Sequence, residues 1–147
     1  MARNLSLRAL APVLAPVIAV ACLPIPWTEY RQPAVIGQLR FAGQPLPGHP
    51  VILAAPDSTQ GCGAGVAATI TDSLGQFSLP AQTRRQHFVW LMEGSQAWRL
   101  CTTVDGHEVT LTQQSGLRMQ RRAQVECTVS RLADTAAAPR GSCDVQY

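Results

Sequence analysis

The sequence contains no lysine, few aromatic residues and few charges of either sign. Aromatic side chains make up 5% and charged side chains 14% of the 147 residues, and all twelve basic residues are arginines. We attribute the absence of lysine to genome composition and not to function. The formal charge of +3 includes Arg3 and Arg8 in an expected leader, so the rest of the chain has ten arginines against nine acids, a net charge of +1. This near balance gives no general argument for binding nucleic acid.

A long apolar run is also missing. The apolar run from Ala9 to Val20 has twelve residues and contains two prolines, whereas a membrane-spanning helix needs about 20 apolar residues. The run follows the basic residues Arg3 and Arg8, which is the order found in a secretion signal. We therefore expect residues 1–21 to be a signal helix that is removed from the mature protein.

The leader ends in Ala19-Val20-Ala21-Cys22, which resembles the lipobox of bacterial lipoproteins. The resemblance implies a lipid on Cys22 and anchoring in the membrane. The alternative is an ordinary Ala-x-Ala cleavage site that leaves Cys22 unmodified. In the lipoproteins that it resembles, leucine at the next position, here Leu23, implies the outer membrane, with the domain in the periplasm of the cell envelope.

Setting Cys22 aside leaves four cysteines, an even number that suggests two disulfides in an exported chain. Three pairings are possible. Cys101 and Cys127 are predicted to lie within strands, while Cys62 and Cys143 lie in glycine-containing segments that can move to meet each other. We therefore favour Cys101–Cys127 together with Cys62–Cys143.

With eleven glycines and eleven prolines, the chain is rich in turn residues. Short apolar segments alternate with these turns, and Asp105-Gly106 is a strong signal for a two-residue hairpin. We predict an all-β fold, an antiparallel transthyretin-like or immunoglobulin-like sandwich of about seven to nine short strands over residues 34–131. The predicted strands are residues 34–41, 49–54, 66–71, 76–79, 86–92, 97–104, 107–112, 117–120 and 124–130.

Two flanking segments are expected outside the sandwich. Residues 22–33 are predicted to be a proline-spaced, semi-extended tether, in which Trp27 and Tyr30 either reach the lipid headgroups or pack on the domain. Residues 132–147 are predicted to be a C-terminal tail, too small and polar to pack and held only by Cys143.

The stretch from Thr71 to Phe77 is predicted to be a tight hairpin between the strands on either side of it. The carboxylate of Asp72 can accept hydrogen bonds from backbone N–H groups of the turn. Gly75 supplies the positive φ that such a turn needs, and Phe77 places its ring on the core. We therefore expect Asp72, Gly75 and Phe77 to be structural and not catalytic.

The span from residue 37 to residue 79 resembles the carboxypeptidase regulatory-like domain, a small transthyretin-like sandwich. Domains of this family are usually non-catalytic, so the resemblance implies a folding, spacing or interaction module. The matching residues are Gly37, the turn from Gly43 to Gly48, Val51, Leu53, Thr71, Asp72, Gly75 and Phe77.

Enzymatic chemistry has little support in the sequence. His49, His87 and His107 fall on separate predicted strands without metal-ligand spacing, and we expect no catalytic residue, no metal and no cofactor. Hydroxyisourate hydrolase shares the transthyretin architecture, and Pro139-Arg140-Gly141-Ser142 is similar to its C-terminal motif. Proline replaces the tyrosine of that motif, so a hydrolase is the least favoured interpretation.

Two groups of residues are considered for surface roles. Arg84-Arg85 and the group Arg118, Arg121 and Arg122 are interpreted as solvated strand ends in preference to an anion or lipopolysaccharide patch. The predicted strand 86–92 is apolar on both faces, and a possible interaction surface consists of Phe88, Trp90 and Trp98.

The favoured function is that of a non-catalytic envelope lipoprotein, attached to the membrane through Cys22, whose sandwich binds or braces an envelope protein. The alternative is a small-ligand or glycan binder that uses the loops around Cys62 or the apolar face of Phe88 and Trp90.

Overall fold

The computed structural model describes residues 27–56, 61–62, 65–86, 95–116, 120–131 and 138–147. This part of the chain contains eleven strands and no helix, which confirms the predicted all-β fold. No helix capable of crossing a membrane is found among these residues. The expected signal helix and Cys22 lie outside them. The strands are β1 Trp27–Gln32, β2 Ala34–Phe41, β3 Gln44–Pro45, β4 Pro50–Ala54, β5 Gly65–Ile70, β6 Gln76–Leu79, β7 Gln82–Gln86, β8 Gln96–Val104, β9 His107–Gly116, β10 Arg122–Ser130 and β11 Arg140–Gln146.

Two sheets pack face to face around one core. The first sheet has the order β11–β10–β2–β3, with β6 also paired to β2, and the second has the order β5–β4–β8–β9. The pairing of β2 with β10 is parallel and all the others are antiparallel, so the sandwich predicted as antiparallel contains one mixed sheet. Strands β1 and β7 form a separate two-stranded ribbon.

Strand β10 shows how the sequence selects this arrangement. Its nine residues alternate between exposed and buried without interruption, which is the pattern of a strand with one face on the core. The side chains that it buries are joined by apolar side chains of the opposite sheet. From β10 the core receives Ala123, Val125, Cys127 and Val129, and from the second sheet Val51, Leu53, Trp98, Leu100, Val104, Val109 and Leu111.

The turn from Asp72 to Gly75 joins the two sheets, so the prediction of a hairpin was wrong. Strand β5 before the turn pairs with β4, and β6 after it pairs with β2. Within the turn, Oδ1 of Asp72 accepts hydrogen bonds from the backbone N–H of Leu74 (2.9 Å) and of Gln76 (2.8 Å). These local bonds reverse the chain direction, but they do not determine which strand each flanking segment joins.

Gly75 occupies a position that a larger residue cannot fill without strain. Its φ is +72°, and its carbonyl accepts a hydrogen bond from the N–H of Leu39 at 2.8 Å. A Cβ atom at this position would overlap the carbonyl oxygen of Leu39 and would lie 3.0 Å from the backbone nitrogen of Leu46. The turn is therefore packed directly against β2 and the segment that follows β3.

Within the described residues 138–147, the C-terminal segment forms a strand and is not the loose tail that the sequence predicts. Strand β11 pairs with β10 in antiparallel register from residue 140 to residue 146. Cys143 and Val145 are half-buried and pack against the core. Of the polar residues that led to the wrong prediction, Arg140 and Ser142 lie on the exposed side of β11, while residues 132–137 lie outside the described residues.

The favoured disulfide pairing is also wrong. The bonds are Cys62–Cys101, with Cα atoms 6.0 Å apart, and Cys127–Cys143, with Cα atoms 4.1 Å apart. Cys127 and Cys143 are directly opposite each other on β10 and β11. Because the tail is a strand, Cys143 is held beside Cys127 and does not meet Cys62.

Part of the expected tether is folded onto the domain. Residues 27–32 form β1, which pairs with β7. The buried side chain of Gln96 ties this ribbon to the sandwich: its Nε2 donates to the carbonyls of Tyr30 (3.1 Å) and Gln120 (3.0 Å), and its Oε1 accepts from the N–H of Gln120 (2.9 Å). For Tyr30, the structure shows packing on the domain. Of the predicted strands 86–92 and 117–120, residues 87–92 and 117–119 lie outside the described residues.

Candidate functional site

Strand β5 combines exposed apolar side chains with a sheet edge that has no paired neighbour among the described residues. In the described part of the chain it pairs only with β4. Val66 is 48% exposed and Ile70 is 67% exposed. Its sequence, GVAATI, contains no charged residue and no proline. Exposed edge strands normally carry such residues because they prevent pairing with other chains, so β5 lacks the usual protection against pairing.

The hydrogen bonds to β4 determine which backbone groups of β5 face the open edge. The N–H of Thr71, just after β5, donates to the carbonyl of His49 at 3.0 Å. Hydrogen-bonded positions alternate along an antiparallel pair, so Ala67 and Thr69 also bond towards β4. The N–H and C=O groups of Ala68 and Ile70 therefore face the open edge.

The hydrogen bonding of Pro50, the residue opposite Ile70, is consistent with this orientation of the backbone. Pro50 is the register partner of Ile70, and its carbonyl accepts a hydrogen bond from Oγ1 of Thr102 on β8 at 2.6 Å. Pro50 thus bonds away from β5. Ala68 and Ile70 thus have backbone groups that face the open edge and side chains that are exposed on the face of the sheet beside it.

Another edge of the second sheet is covered. Strand β9 has β11 packed along it, and Gly141 of β11 sits directly against it. A Cβ atom at Gly141 would lie 2.8 Å from Cδ2 of Leu111 and 3.0 Å from the carbonyl oxygen of Thr110. This close packing closes one side of the sandwich, whereas β5 lies at the other end of the same sheet.

An open groove of about 640 Å³ lies next to β5. It combines the outer face of β2, β6 and β10 with the end of β5. One of its lining amides is already engaged, because Nε2 of Gln38 donates to the carbonyl of Leu74 at 2.7 Å and its Oε1 accepts from Arg40 at 2.8 Å. The groove is lined by both apolar and polar side chains, including Ile36, Gln38, Ile70, Asp72, Gln76 and Glu126.

A second, smaller cavity of about 280 Å³ lies beside the last residue, Tyr147. Partial burial raises the pKa of the Tyr147 phenol above its usual value. Its oxygen lies 3.5 Å from Oε1 of Gln114, to which it can donate. Because Gln96 lines the same cavity, this cavity belongs to the structural junction around that residue.

Those residues considered for chemistry that the structure describes are not brought together as a metal site. Nδ1 of His49 lies 2.8 Å from the carbonyl of Pro47, and His107 begins β9. His87 lies outside the described residues. Among the residues that the structure describes, no group of three or more His, Cys, Asp and Glu side chains could hold a metal ion. Arg140 to Ser142, part of the hydrolase-like motif, begin β11.

The predicted interaction surface is wrong for Trp98, which is 1% exposed and lies in the core. The reason is its inward position on β8. Phe88 and Trp90 lie outside the described residues. Cys62 is buried and disulfide-bonded to Cys101. Its N–H donates to Oε1 of Glu108 at 2.9 Å, and this bond holds the described part of the loop around Cys62 against the sheet.

Sequence reasoning predicted a strand at residues 66–71 but did not identify it as an edge. The available signal was the alternation of Val66, Ala68 and Ile70 with small residues in a segment without charge. Comparison of the chain with protein families, with curated proteins and with solved structures finds no match.

Proposed function

We propose that this protein is a non-catalytic lipoprotein of the bacterial cell envelope, of the carboxypeptidase regulatory-like type, and that its sandwich binds another envelope protein. In this proposal a lipid on Cys22 anchors the chain in the outer membrane and the domain lies in the periplasm. The observation that carries the binding role is the free, uncharged edge of β5. The partner is a protein that contributes one extended segment with apolar residues at alternate positions.

Strand addition uses both features of the edge. Backbone groups of the incoming segment bond to those of Ala68 and Ile70, which supplies affinity. Val66, Ala68 and Ile70 line one face of β5, and apolar residues at alternate positions of the segment pack beside them, which supplies specificity. Main-chain pairing at a sheet edge is a recurring mode of peptide recognition.

The Cys62–Cys101 disulfide supports this role because it reduces the freedom of the binding sheet. Cys62, in the loop that leads into β5, is bonded to Cys101 on β8 of the same sheet. An edge that is already fixed in its binding conformation loses less conformational entropy when a partner binds. Disulfides also fit an oxidising compartment such as the periplasm.

Site-specific photocrosslinking in the envelope tests the proposal. A photoreactive residue at Ile70 is expected to give a crosslink to a partner protein, whereas one at Ser142, exposed on β11, is not. The variant Ala68→Pro removes an N–H that faces the open edge and leaves the bonds to β4 intact, so it should abolish the crosslink.

Thermal melting of Ala68→Pro verifies that the variant is folded. A crosslink at Ile70 that survives in the folded variant would contradict strand addition. A product with twice the mass of the chain would identify a second copy as the occupant in place of a different protein.

The groove beside β5 favours a second candidate function, the binding of a small polar ligand or glycan. Its volume of about 640 Å³ and its amide and carboxylate side chains suit such a ligand. A glycan array probed with the natural chain and with Gln124→Trp, which fills the groove, provides the test. Binding that is equal for both proteins would exclude this groove as the site.

A further inference from the structure

The structure brings together two arginine clusters that lie far apart in the sequence. Arg84 and Arg85 are on β7, opposite Glu29 and Thr28 of β1. The Arg121 guanidinium lies over the ring of Tyr30, on β1, at 5.6 Å from its centroid.

Hydrogen bonds of the backbone hold the second cluster, Arg121 and Arg122, in place. The carbonyl of Arg121 accepts a hydrogen bond from the N–H of Ala34 at 3.0 Å, and the buried Gln96 bonds to both Tyr30 and Gln120. Arg121 and Arg122 are therefore held next to the β1–β7 ribbon.

The combined surface has a strong positive charge. We call it the arginine ribbon, and its five exposed arginines are Arg31, Arg84, Arg85, Arg121 and Arg122. The carboxylate within β1 and β7 belongs to Glu29, whose Oε2 lies 3.8 Å from Nε of Arg31. The arginine ribbon, counted with Glu29, thus has a net charge of +4. Because the chain after the expected leader has a net charge of +1, the rest of that chain has a net charge of −3. The arginines are therefore concentrated on the β1–β7 ribbon and beside it, with Arg84 and Arg85 on its two opposite faces.

The arginine ribbon is also the described part of the chain nearest in sequence to the expected anchor. Strand β1 begins at Trp27, five residues after Cys22. Five residues of extended chain span at most about 17 Å. A lipid on Cys22 therefore holds this end of β1 near the membrane surface.

We propose that the arginine ribbon binds the headgroups of anionic phospholipids in the leaflet that holds Cys22, as a second membrane contact that orients the sandwich. The geometric part of this inference rests on the proposed lipidation of Cys22. Arginines near an anionic surface each strengthen binding by about fivefold, and the effect decreases over roughly a Debye length, about 8 Å at physiological salt. Within the described residues no carboxylate pairs with Arg85 or Arg122, and both residues are exposed.

Vesicle binding of the chain from residue 22 onward, with Cys22→Ser so that no lipid contributes, tests the arginine ribbon by itself. We expect binding to phosphatidylcholine vesicles that contain phosphatidylglycerol, weaker binding to phosphatidylcholine alone, and loss of the difference at high salt. The double variant Arg85→Gln/Arg122→Gln should bind the anionic vesicles about 25-fold more weakly.

The matched control is Arg40→Gln/Arg140→Gln, which removes the same net charge from exposed positions outside the ribbon. It should bind like the parent chain, and thermal melting shows whether both variants are folded. Equal binding to neutral and anionic vesicles, or equal losses in the two double variants, would overturn the proposal. Neither outcome bears on lipidation, which is decided separately by the mass of the mature N-terminus.

Discussion

Single residues with buried polar side chains hold the β1–β7 ribbon and the sandwich together, and Gln96 is the clearest case. Its three hydrogen bonds join β1, β8 and the segment before β10. Gln96→Leu leaves partly buried backbone groups of Tyr30 and Gln120 without the partner they have in Gln96, so we expect the free energy of unfolding to fall by about 3 kcal/mol. Urea denaturation measures this, with Gln124→Leu on the exposed face of β10 as the control, which should change stability by less than about 0.5 kcal/mol.

Gly75 gives a second prediction at this scale, because it combines a positive φ with close packing. Gly75→Ala should lower the free energy of unfolding by more than the roughly 1–2 kcal/mol that the left-handed conformation alone costs. Gly43→Ala is the control, since Gly43 has φ +85° and no atom within 4 Å of its missing Cβ. If the two variants lost equal free energy of unfolding in denaturant melts, the close contact of Gly75 with β2 would make no contribution to the cost of its substitution.

The local chemistry of this turn was predictable from the sequence, but its place in the fold was not. Asp72 and Gly75 indicate a tight reversal because of what a carboxylate and a missing Cβ permit. Whether the next strand pairs with the previous one or crosses to the other sheet depends on contacts with β2 and β4. Those contacts are distant in sequence and leave no local pattern.

At the scale of elements, the free edge of β5 predicts a pattern of hydrogen exchange. The amides of Ala68 and Ile70 face the edge, while those of Ala67 and Thr69 bond to β4. In the isolated protein the first two should exchange with solvent much faster than the second two, because an unbonded exposed amide has little protection. Residue-resolved exchange by NMR decides this, and equal protection of all four amides would mean that the edge is covered.

The disulfides give a prediction for the elements that they join. The Cys127–Cys143 bond closes 16 residues and the Cys62–Cys101 bond closes 39 residues. By the chain-entropy estimate, replacing each pair by serine should cost about 3 and about 4 kcal/mol, respectively. Denaturant melts of the two double variants measure the losses. Non-reducing peptide mapping checks the pairing, and a peptide that joins Cys62 to Cys143 would contradict the structure.

Elements with strong alternation were predicted closely, and those without it were not. Strands β2 and β6 have the predicted limits, because apolar side chains and turn residues define both ends. Strand β11 was missed, since Arg140 to Ser142 are small or polar and only Cys143 and Val145 reach the core. The β1–β7 ribbon is almost entirely polar, so its pairing could not be distinguished from a tether.

For the whole molecule, the fold class followed from composition and turn spacing, whereas the topology did not. The parallel pairing of β2 with β10 joins segments about 90 residues apart, and no hairpin signal marks such a contact. The two candidate surfaces have the same origin. The edge position of β5 and the meeting of the arginine clusters arise from sheet order, which only the three-dimensional structure provides.

The central claim, an exported lipoprotein with a disulfide-braced sandwich, is tested most directly by the intact mass of the protein extracted from the membrane of the cells that produce it. We expect a chain that begins at Cys22, carries covalent lipid on that residue and lacks the four hydrogens lost in forming two disulfides. A mature chain that begins elsewhere, or one that begins at an unmodified Cys22, would contradict the account.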